Sequence, residues 1–413
     1  MALLSLHSSP VAPLGRSDAG GMNLYVHQVA DELVRLGLSV DIFTRKTDKR
    51  LPKILELQSG ARLVHLSAGP ERPLPKHVLP LHIPALAMEL RQFAHREMVH
   101  YDVLHCHYWL SGLVGMRARA ALGAPVVTMF HTLSRLKEIH MGTPDRADSA
   151  LRYDGERCVI SGSDVVVGAT SEELKHIRVL YGREPARFTV IPPGVDAGLF
   201  RPLSAAESRR KLHIEAERVI LFVGRLDPLK GLNTLLRSVA LLPEPLRCGT
   251  RVVVVGGRDA SDRSRATDYR RMASALGIGD LLDMRRSVPQ TELPAYFSAA
   301  DVCAVPSAYE SFGTVAIESM ACETPVVAFA VGGLTTTITN GVTGFLAPVA
   351  GDQAYAACLA RALECSGREQ MGQRARRAVL RFNWSATARQ TLELYENAVA
   401  DRPCMCRLLA GAG

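Results

Sequence analysis

The chain has 413 residues, 47% of them hydrophobic and 6% aromatic, with a formal net charge of +8. That length suits two ordinary domains, and the composition is that of a soluble α/β protein. No apolar run reaches the ~20 residues that span a bilayer, and the basic stretches Arg258 to Arg271 and Arg374 to Arg381 alternate with Asp, Ser and Ala as solvated helix faces do, so neither stable membrane insertion nor a nucleic-acid surface is expected.

The first residues, Met1 to His7, read as a strand rather than a signal peptide, because no basic segment precedes them. Gly21 to Leu36 has the periodicity of an amphipathic helix. Val40 to Thr44, Val103 to His107, Val126 to Phe130 and Val165 to Ala169 are further strand candidates. Pro192-Pro193-Gly194 can continue neither a strand nor a helix, which places a boundary there and a first domain over residues 1–196. The pattern restarts with Val219 to Gly224, Arg251 to Gly257, Asp301 to Val305 and Pro325 to Ala328, giving a second domain over residues 197–382. Asn383 to Ala400 reads as a final helix, and residues 401–413 as a loose tail. Strand–helix alternation predicts parallel sheets, whose ligands sit beyond the carboxyl ends of the strands, here in a cleft between two domains. The nine cysteines are scattered and form no zinc-like pair of CxxC motifs. Cys106, Cys158, Cys303 and Cys322 read as small core residues, Cys404 and Cys406 as a lone CxC, and the whole as a protein of the reducing cytoplasm.

The most informative stretch is Pro306 to Glu318, which sets Glu310 and Glu318 around a Ser-Phe-Gly turn between a buried strand and a helix. Strand, polar loop and helix N-terminus present backbone N–H groups to an anion, and Glu318, a turn into the helix, can accept from a diol. The same residues also allow a surface helix with two solvated glutamates. Gly20-Gly21 opens the first helix and lets a backbone approach a diphosphate, although it is no G-x-G-x-x-G fingerprint and a plain turn remains open. Gly224 to Gly231 puts Arg225 and Lys230 around a proline turn after a strand, where two cations suit a pyrophosphate. It lacks the P-loop pattern, which argues against ATP hydrolysis. His131, at the end of a strand, can face the crevice or be structural, and strand alternation turns His105 into packing. Nothing local links Lys76, Tyr108 and Arg152.

Taken together these motifs resemble the family 4 glycosyltransferases, from His7 to about Tyr395. Glu310 and Glu318 match that family's glutamate pair, and Arg225 with Lys230 its cation pair. Asp18 to Asn23, His107 to Gly112 and His131 to Leu133 are similar to the branch that moves GlcNAc from UDP-GlcNAc to inositol phosphate in mycothiol synthesis. The resemblance implies the GT-B fold, two Rossmann-like domains facing a cleft. It also implies a UDP-sugar donor, a phosphorylated polyol such as 1D-myo-inositol 3-phosphate as acceptor, and retention at the anomeric carbon. In that family's terms Gly21 meets the donor phosphate, Arg225 and Lys230 hold the diphosphate, Glu318 takes the ribose and Val288 lies against the uracil. Glu310 contacts the donor sugar, and His131 lines the reaction centre beside it. Lys76, Tyr108, Thr132 and Arg152 correspond to the residues that hold the acceptor phosphate, with His7, Asp18 and Asn23 near the polyol. No cofactor is required; a magnesium ion and a homodimer are both compatible with the resemblance. Sucrose-phosphate synthases resemble the chain as well, which keeps a sugar-phosphate acceptor open. A UDP-sugar 2-epimerase on the same scaffold is the other alternative, against which the Lys76 and Arg152 pair argues. One departure stands out: Glu323 replaces a family glycine that ends the helix in a left-handed conformation, at a cost of about 1 kcal/mol. It is expected to put a new carboxylate near the diphosphate side.

Overall fold

The computed structural model describes residues 1–12, 20–141, 146–185, 187–257 and 260–401; Asp18, Cys404 and Cys406 lie outside them. Two parallel sheets organise the chain. The first contains β1 (Ala2–Leu4), β2 (Asp41–Arg45), β3 (Ile54–Glu56), β4 (Arg62–Leu66), β5 (Leu104–His107), β6 (Val126–Met129), β7 (Val165–Gly168) and β8 (Arg187–Val190). Their order is β3-β4-β2-β1-β5-β6-β7-β8, with β3 alone antiparallel, against β4 at the edge. The second contains β9 (Arg218–Val223), β10 (Thr250–Val255), β11 (Leu282–Arg285), β12 (Val302–Val305), β13 (Val326–Phe329) and β14 (Gly344–Ala347), in the order β11-β10-β9-β12-β13-β14. That is the doubly wound Rossmann order, in which the chain reverses direction between β9 and β12.

Alternation along the strands assigns the core layers. Leu3 and Ile42 point to one face with Tyr25, Val26 and Val29 of the helix Gly21–Arg35. Ala2, Leu4 and Phe43 point to the other, with Phe93 and Leu104. The first of these layers runs on into the core of the second half.

The link is the last helix, Trp384–Ala400, whose Asn383 Oδ1 caps it by accepting from the Ala386 N–H at 2.8 Å. This helix leaves the second sheet and packs on Gly21–Arg35 of the first half. The Trp384 ring stands edge-on to Tyr25 with centroids 5.9 Å apart, and Tyr395 Oη lies 2.6 Å from His105 Nδ1. The Pro-Pro-Gly segment is where the returning chain passes. Val195 N–H donates to Phe382 O at 2.9 Å, and a Cβ on Gly194 would stand 2.3 Å from Trp384 N, so a side chain there would block the crossing. Among the described residues no helix is long and apolar enough to cross a membrane.

Candidate functional site

Segments at strand carboxyl ends carry most of the sequence-derived candidates. They follow β1, β5 and β6 in the first sheet and β9, β11 and β12 in the second, where β1 neighbours β5 and β9 neighbours β12. These are the positions where an open α/β sheet leaves a crevice.

On the second half, Asp227 accepts from Leu229 N–H at 3.0 Å and so starts the single turn Pro228–Lys230. Its other oxygen lies 3.6 Å from Arg225 Nη2. Gly231 ends that turn at φ 73°, with its α-carbon so close to the end of β12 that a Cβ would meet Pro306 O at 1.9 Å. Only glycine lets the two loops touch. Lys230 Nζ then donates to Glu310 Oε1 at 2.6 Å, and Ser307 Oγ donates to the same oxygen at 2.8 Å. Glu318 sits inside the helix Thr314–Ala321 and is 4% exposed. Burial pushes its carboxyl up to about 8, against the Gln290 amide that donates to it at 3.2 Å. The surface-helix alternative therefore fails for Glu318. Val288, two residues before Gln290, packs half-buried against the core, so the loop after β11 reaches Glu318 as well.

On the first half, residues far apart in sequence meet at Tyr108. The His7 ring lies 4.3 Å from the Tyr108 ring, Arg152 Cζ stands 5.0 Å from its centroid, and Lys76 Nζ 6.0 Å. Arg152 Nη2 donates to Thr132 O at 2.8 Å and to Thr132 Oγ1 at 3.1 Å, while its Nε donates to the buried Glu156 at 2.8 Å. Glu156 also accepts from Ser134 Oγ and from Tyr181 Oη. His131 Nε2 lies 3.0 Å from His107 Nδ1, so the two rings share one proton and each fixes the other's tautomer. Burial pushes His131 down to about 3, and takes His7 and His107 well below the usual imidazole range. All three are neutral at physiological pH.

Tyr108 (φ 76°) and His131 (φ 62°) both hold left-handed backbone conformations at strand ends, where a non-glycine residue is strained. The halves meet directly. Ser311 Oγ donates to His131 O at 3.0 Å, Thr170 Oγ1 donates to Ser311 O at 3.4 Å, and Tyr309 stacks on His140 with centroids 5.7 Å apart. A Cβ on Gly21 would lie 3.7 Å from Thr314 Oγ1. The N-termini of the helices Gly21–Arg35 and Thr314–Ala321 thus abut, and the first N–H groups of each helix have no partner within the helix itself.

Comparison with known proteins decides the family. The model described as Glycosyltransferase Family 4 matches residues 19–199, and that described as Glycosyl transferases group 1 matches residues 204–378. The D-inositol 3-phosphate glycosyltransferase of Thermomonospora curvata is 42% identical over 410 residues, covering 96% of this chain and 95% of that protein. The chain belongs to the family 4 glycosyltransferases. The protein of the same name from Thermobispora bispora is 41% identical over 406 residues, covering 97% and 95%. Among solved structures, sucrose-phosphate synthase from Thermosynechococcus elongatus superposes with a TM-score of 0.88 at 33% identity, covering 97% of this chain and 99% of that one. The GT-B fold and an enzyme that transfers a sugar follow from these likenesses.

Four details of this glycosyltransferase differ from what its sequence suggests. Asn23 is fully buried and spends both amide hydrogens on Ser8 Oγ and Ser9 O, each at 2.7 Å, while its Oδ1 accepts from Gly20 N–H at 3.0 Å. It braces the glycine turn and does not reach into the gap. Glu323 does take the left-handed conformation expected of the family glycine, at φ 62°. Its position, however, is the far end of the helix, which is about 12 Å long at 1.5 Å per residue. There its backbone packs against Gly372, so its carboxylate is not on the diphosphate side. Arg376, read as part of a solvated face, instead donates to Ala321 O and, at 3.0 Å, to Phe200 O, closing the carboxyl end of that same helix. Cys158 is exposed on the helix Arg146–Gly162 rather than in the core.

Sequence reasoning passed over Glu156, Ser311 and Thr170. Glu156 had a signal, since it lies four residues beyond Arg152 on one helix. Ser311 and Thr170 had none, because a bond between halves 141 residues apart leaves no local pattern. Among the described residues no group of three or more His, Cys, Asp or Glu is placed to hold a metal ion.

Proposed function

We propose that this enzyme moves GlcNAc from UDP-GlcNAc to 1D-myo-inositol 3-phosphate, or to a closely similar phosphorylated polyol, with retention at the anomeric carbon. The observation that carries the acceptor is the convergence of Lys76, Thr132 and Arg152 on Tyr108, which makes a cationic, hydroxyl-lined corner suited to a phosphate monoester. The names of the relatives support the same acceptor. Residues 1–196 would then form the acceptor domain and residues 197–382 the donor domain, acting in the cytoplasm.

In this reading the donor diphosphate lies across the abutting helix N-termini, with Gly21 contributing its backbone N–H and Arg225 and Lys230 their charges. Glu318 accepts from the ribose, Val288 lies against the uracil, and Glu310 passes from Lys230 to the donor sugar. As the bond from the anomeric carbon to the phosphate oxygen breaks, the helix dipoles and the two cations stabilise the charge that develops on UDP. The acceptor hydroxyl attacks from the face that UDP leaves, and the departing phosphate oxygen takes its proton. Neutral His131, fixed by His107, lines this centre as a hydrogen-bonding group rather than a cation. Magnesium is compatible with the scheme, and no step runs through it.

A second reading, transfer to a sugar phosphate, is favoured by the likeness to sucrose-phosphate synthase and shares every step except the acceptor. A UDP-sugar 2-epimerase would have no use for the phosphate corner. The deciding experiment incubates the protein with UDP-GlcNAc, UDP-glucose or GDP-mannose against inositol phosphate and fructose 6-phosphate, with products read by mass spectrometry and anomeric configuration by NMR. Retained GlcNAc–inositol phosphate is expected. Product with fructose 6-phosphate alone, a new UDP-sugar without acceptor, or inversion would each contradict the proposal.

A further inference from the structure

Glu173 is a buried carboxyl for which the transfer scheme has no use. It lies in the first turn of the helix Ser171–Tyr181, is 2% exposed, and accepts from the Ala169 N–H at 2.8 Å. Thr170 caps the same helix, its Oγ1 accepting from the Glu173 N–H at 3.2 Å and donating to Ser311 O at 3.4 Å. Thr170 and Ser311 belong to different halves, so Glu173 stands where the halves touch. A carboxyl buried at such a place is costly unless it is partnered.

Its partners there flank the glutamate proposed to meet the donor sugar. Glu310 sits between two residues that are both anchored on the first half. Tyr309 stacks on His140 with centroids 5.7 Å apart and stands edge-on to His176 at 6.1 Å. Ser311 Oγ donates to His131 O at 3.0 Å and shares a side-chain hydrogen bond with Glu173. We infer that Glu173 is a positioning residue for the donor sugar: from the first half it seats Ser311, and through Ser311 it fixes where Glu310 points. Because the anchor spans both halves, Glu310 reaches its working position only when the halves are together.

The chemistry of the contact adds a pH dependence. A hydroxyl has one proton to give and two lone pairs to accept with. Ser311 spends its proton on His131 O, so the contact with Glu173 is complete when the carboxyl donates to Ser311 Oγ. An ionised Glu173 instead competes with His131 O for that proton. Burial raises Glu173 to about 7, against the Ala169 N–H and Ser311 bonds that lower it. The chain from Glu173 through Ser311 to His131 O is therefore intact below neutrality and contested above it. The charged and titratable neighbours are Glu172, Lys175 and His176 on its own helix, His131 and His140 on adjoining segments, and Tyr309 and Glu310 on the loop. Glu172 lies 3.2 Å from Lys175 and 3.7 Å from His176, and Glu310 is held by Lys230 at 2.6 Å. Burial lowers both His131 and His140 and keeps them neutral above about pH 6.5.

This inference rests on the reading that Glu310 meets the donor sugar, and its test separates the two. Calorimetry would give the ratio of the UDP Kd to the UDP-GlcNAc Kd. That ratio reports the sugar alone, because both ligands share the ribose and diphosphate contacts. The proteins would be wild type, Glu173→Gln, Glu173→Met and Ser311→Ala. At about pH 6.5, Glu173→Met and Ser311→Ala are each expected to lower the ratio by about three- to tenfold, with UDP affinity changed by less than about twofold. Combining the two should lower it no further, since both break one link. In wild type the ratio should fall about threefold between about pH 6.5 and 8.5 as Glu173 ionises. In Glu173→Gln, whose amide donates at any pH, it should stay high and flat. Equal losses of UDP and UDP-GlcNAc affinity would make Glu173 a general support of the fold and overturn the inference. So would an unchanged ratio in Ser311→Ala, or a pH slope retained in Glu173→Gln. Wild-type protein that prefers UDP-glucose to UDP-GlcNAc would overturn the donor assignment alone, with Glu173 then judged by UDP-glucose. Wild-type protein that binds UDP as tightly as either UDP-sugar would overturn both.

Discussion

In the second half the strand-end loops are shaped by glycine and charge. Gly231 lets one loop press on Pro306 O, and Lys230 already holds Glu310 at 2.6 Å. In the first half the equivalent strand-end positions are Tyr108 and His131, held at φ 76° and 62° where glycine would be unstrained. The difference follows the ligand groups each side is proposed to meet. A diphosphate is gripped by backbone N–H groups and mobile cations, so the donor side needs close approach and no side chain in the way. A polyol phosphate is recognised by side chains, so the acceptor side tolerates strain of about 1–3 kcal/mol per residue to hold a phenol ring and an imidazole in fixed places.

The sharpest way to break this contrast is Arg152→Met. On the acceptor side the cation is also structural, because Glu156 would be left buried without its charge partner. A stability loss of about 3–5 kcal/mol is expected in chemical denaturation, along with loss of acceptor binding. If stability is unchanged, Glu156 does not depend on Arg152 and the corner is looser than described. Lys230→Met tests the other side. It should lower kcat/KM by roughly 10²–10³ while leaving the fold intact, since Lys230 works on the charge that develops on the leaving group. A change confined to acceptor KM would remove it from the donor site.

Above about pH 6.5 Glu318 gives a pH signature that the buried histidines of the acceptor side do not. Buried, it titrates at about 8, whereas an unfolded glutamate titrates near ~4.3. Between those values the folded protein holds a proton that the unfolded chain has released. Glu318 therefore makes stability fall as pH rises from about 4.5 to 8. A ribose diol donates to the carboxylate form, so UDP affinity should rise by up to about tenfold from pH 6.5 to 9. In Glu318→Gln the UDP slope and the stability slope above about pH 7 should disappear, while Glu173, raised by burial to about 7, keeps its own stability slope below that; persistence of the UDP slope would assign it to another group. His131 and His107, depressed by burial, make stability rise with pH up to about 6.5 and contribute no slope above it, so the Glu318 slope is read above that pH. The smallest effect is expected from Glu323→Gly, which relieves a left-handed glutamate far from the gap. It should stabilise the protein by about 1 kcal/mol and leave UDP affinity untouched. Tighter UDP binding instead would return that carboxylate to the donor side.

Much of this was legible in the sequence. The strands, the glycine turn, the cation pair and the glutamate pair are local patterns, and each falls at a strand end because hydrophobic runs mark where the strands stop. The burial of Glu318 was not legible, since it depends on Gln290 and the loop after β11 folding over it. Nor was the bracing role of Asn23, whose partners Ser8 and Ser9 precede it by a full loop. Tyr108 and His131 gave no sign of their conformation, because residues of their type seldom occupy it and only packing from several elements enforces it.

The central claim is that one diphosphate is held from both halves. A crystal structure of the UDP complex tests it directly. Diphosphate oxygens should lie within hydrogen-bond distance, about 3 Å, of both the Gly21 backbone nitrogen and Lys230 Nζ. A diphosphate bound by the second half alone, with Gly21 turned away from it, would contradict the account.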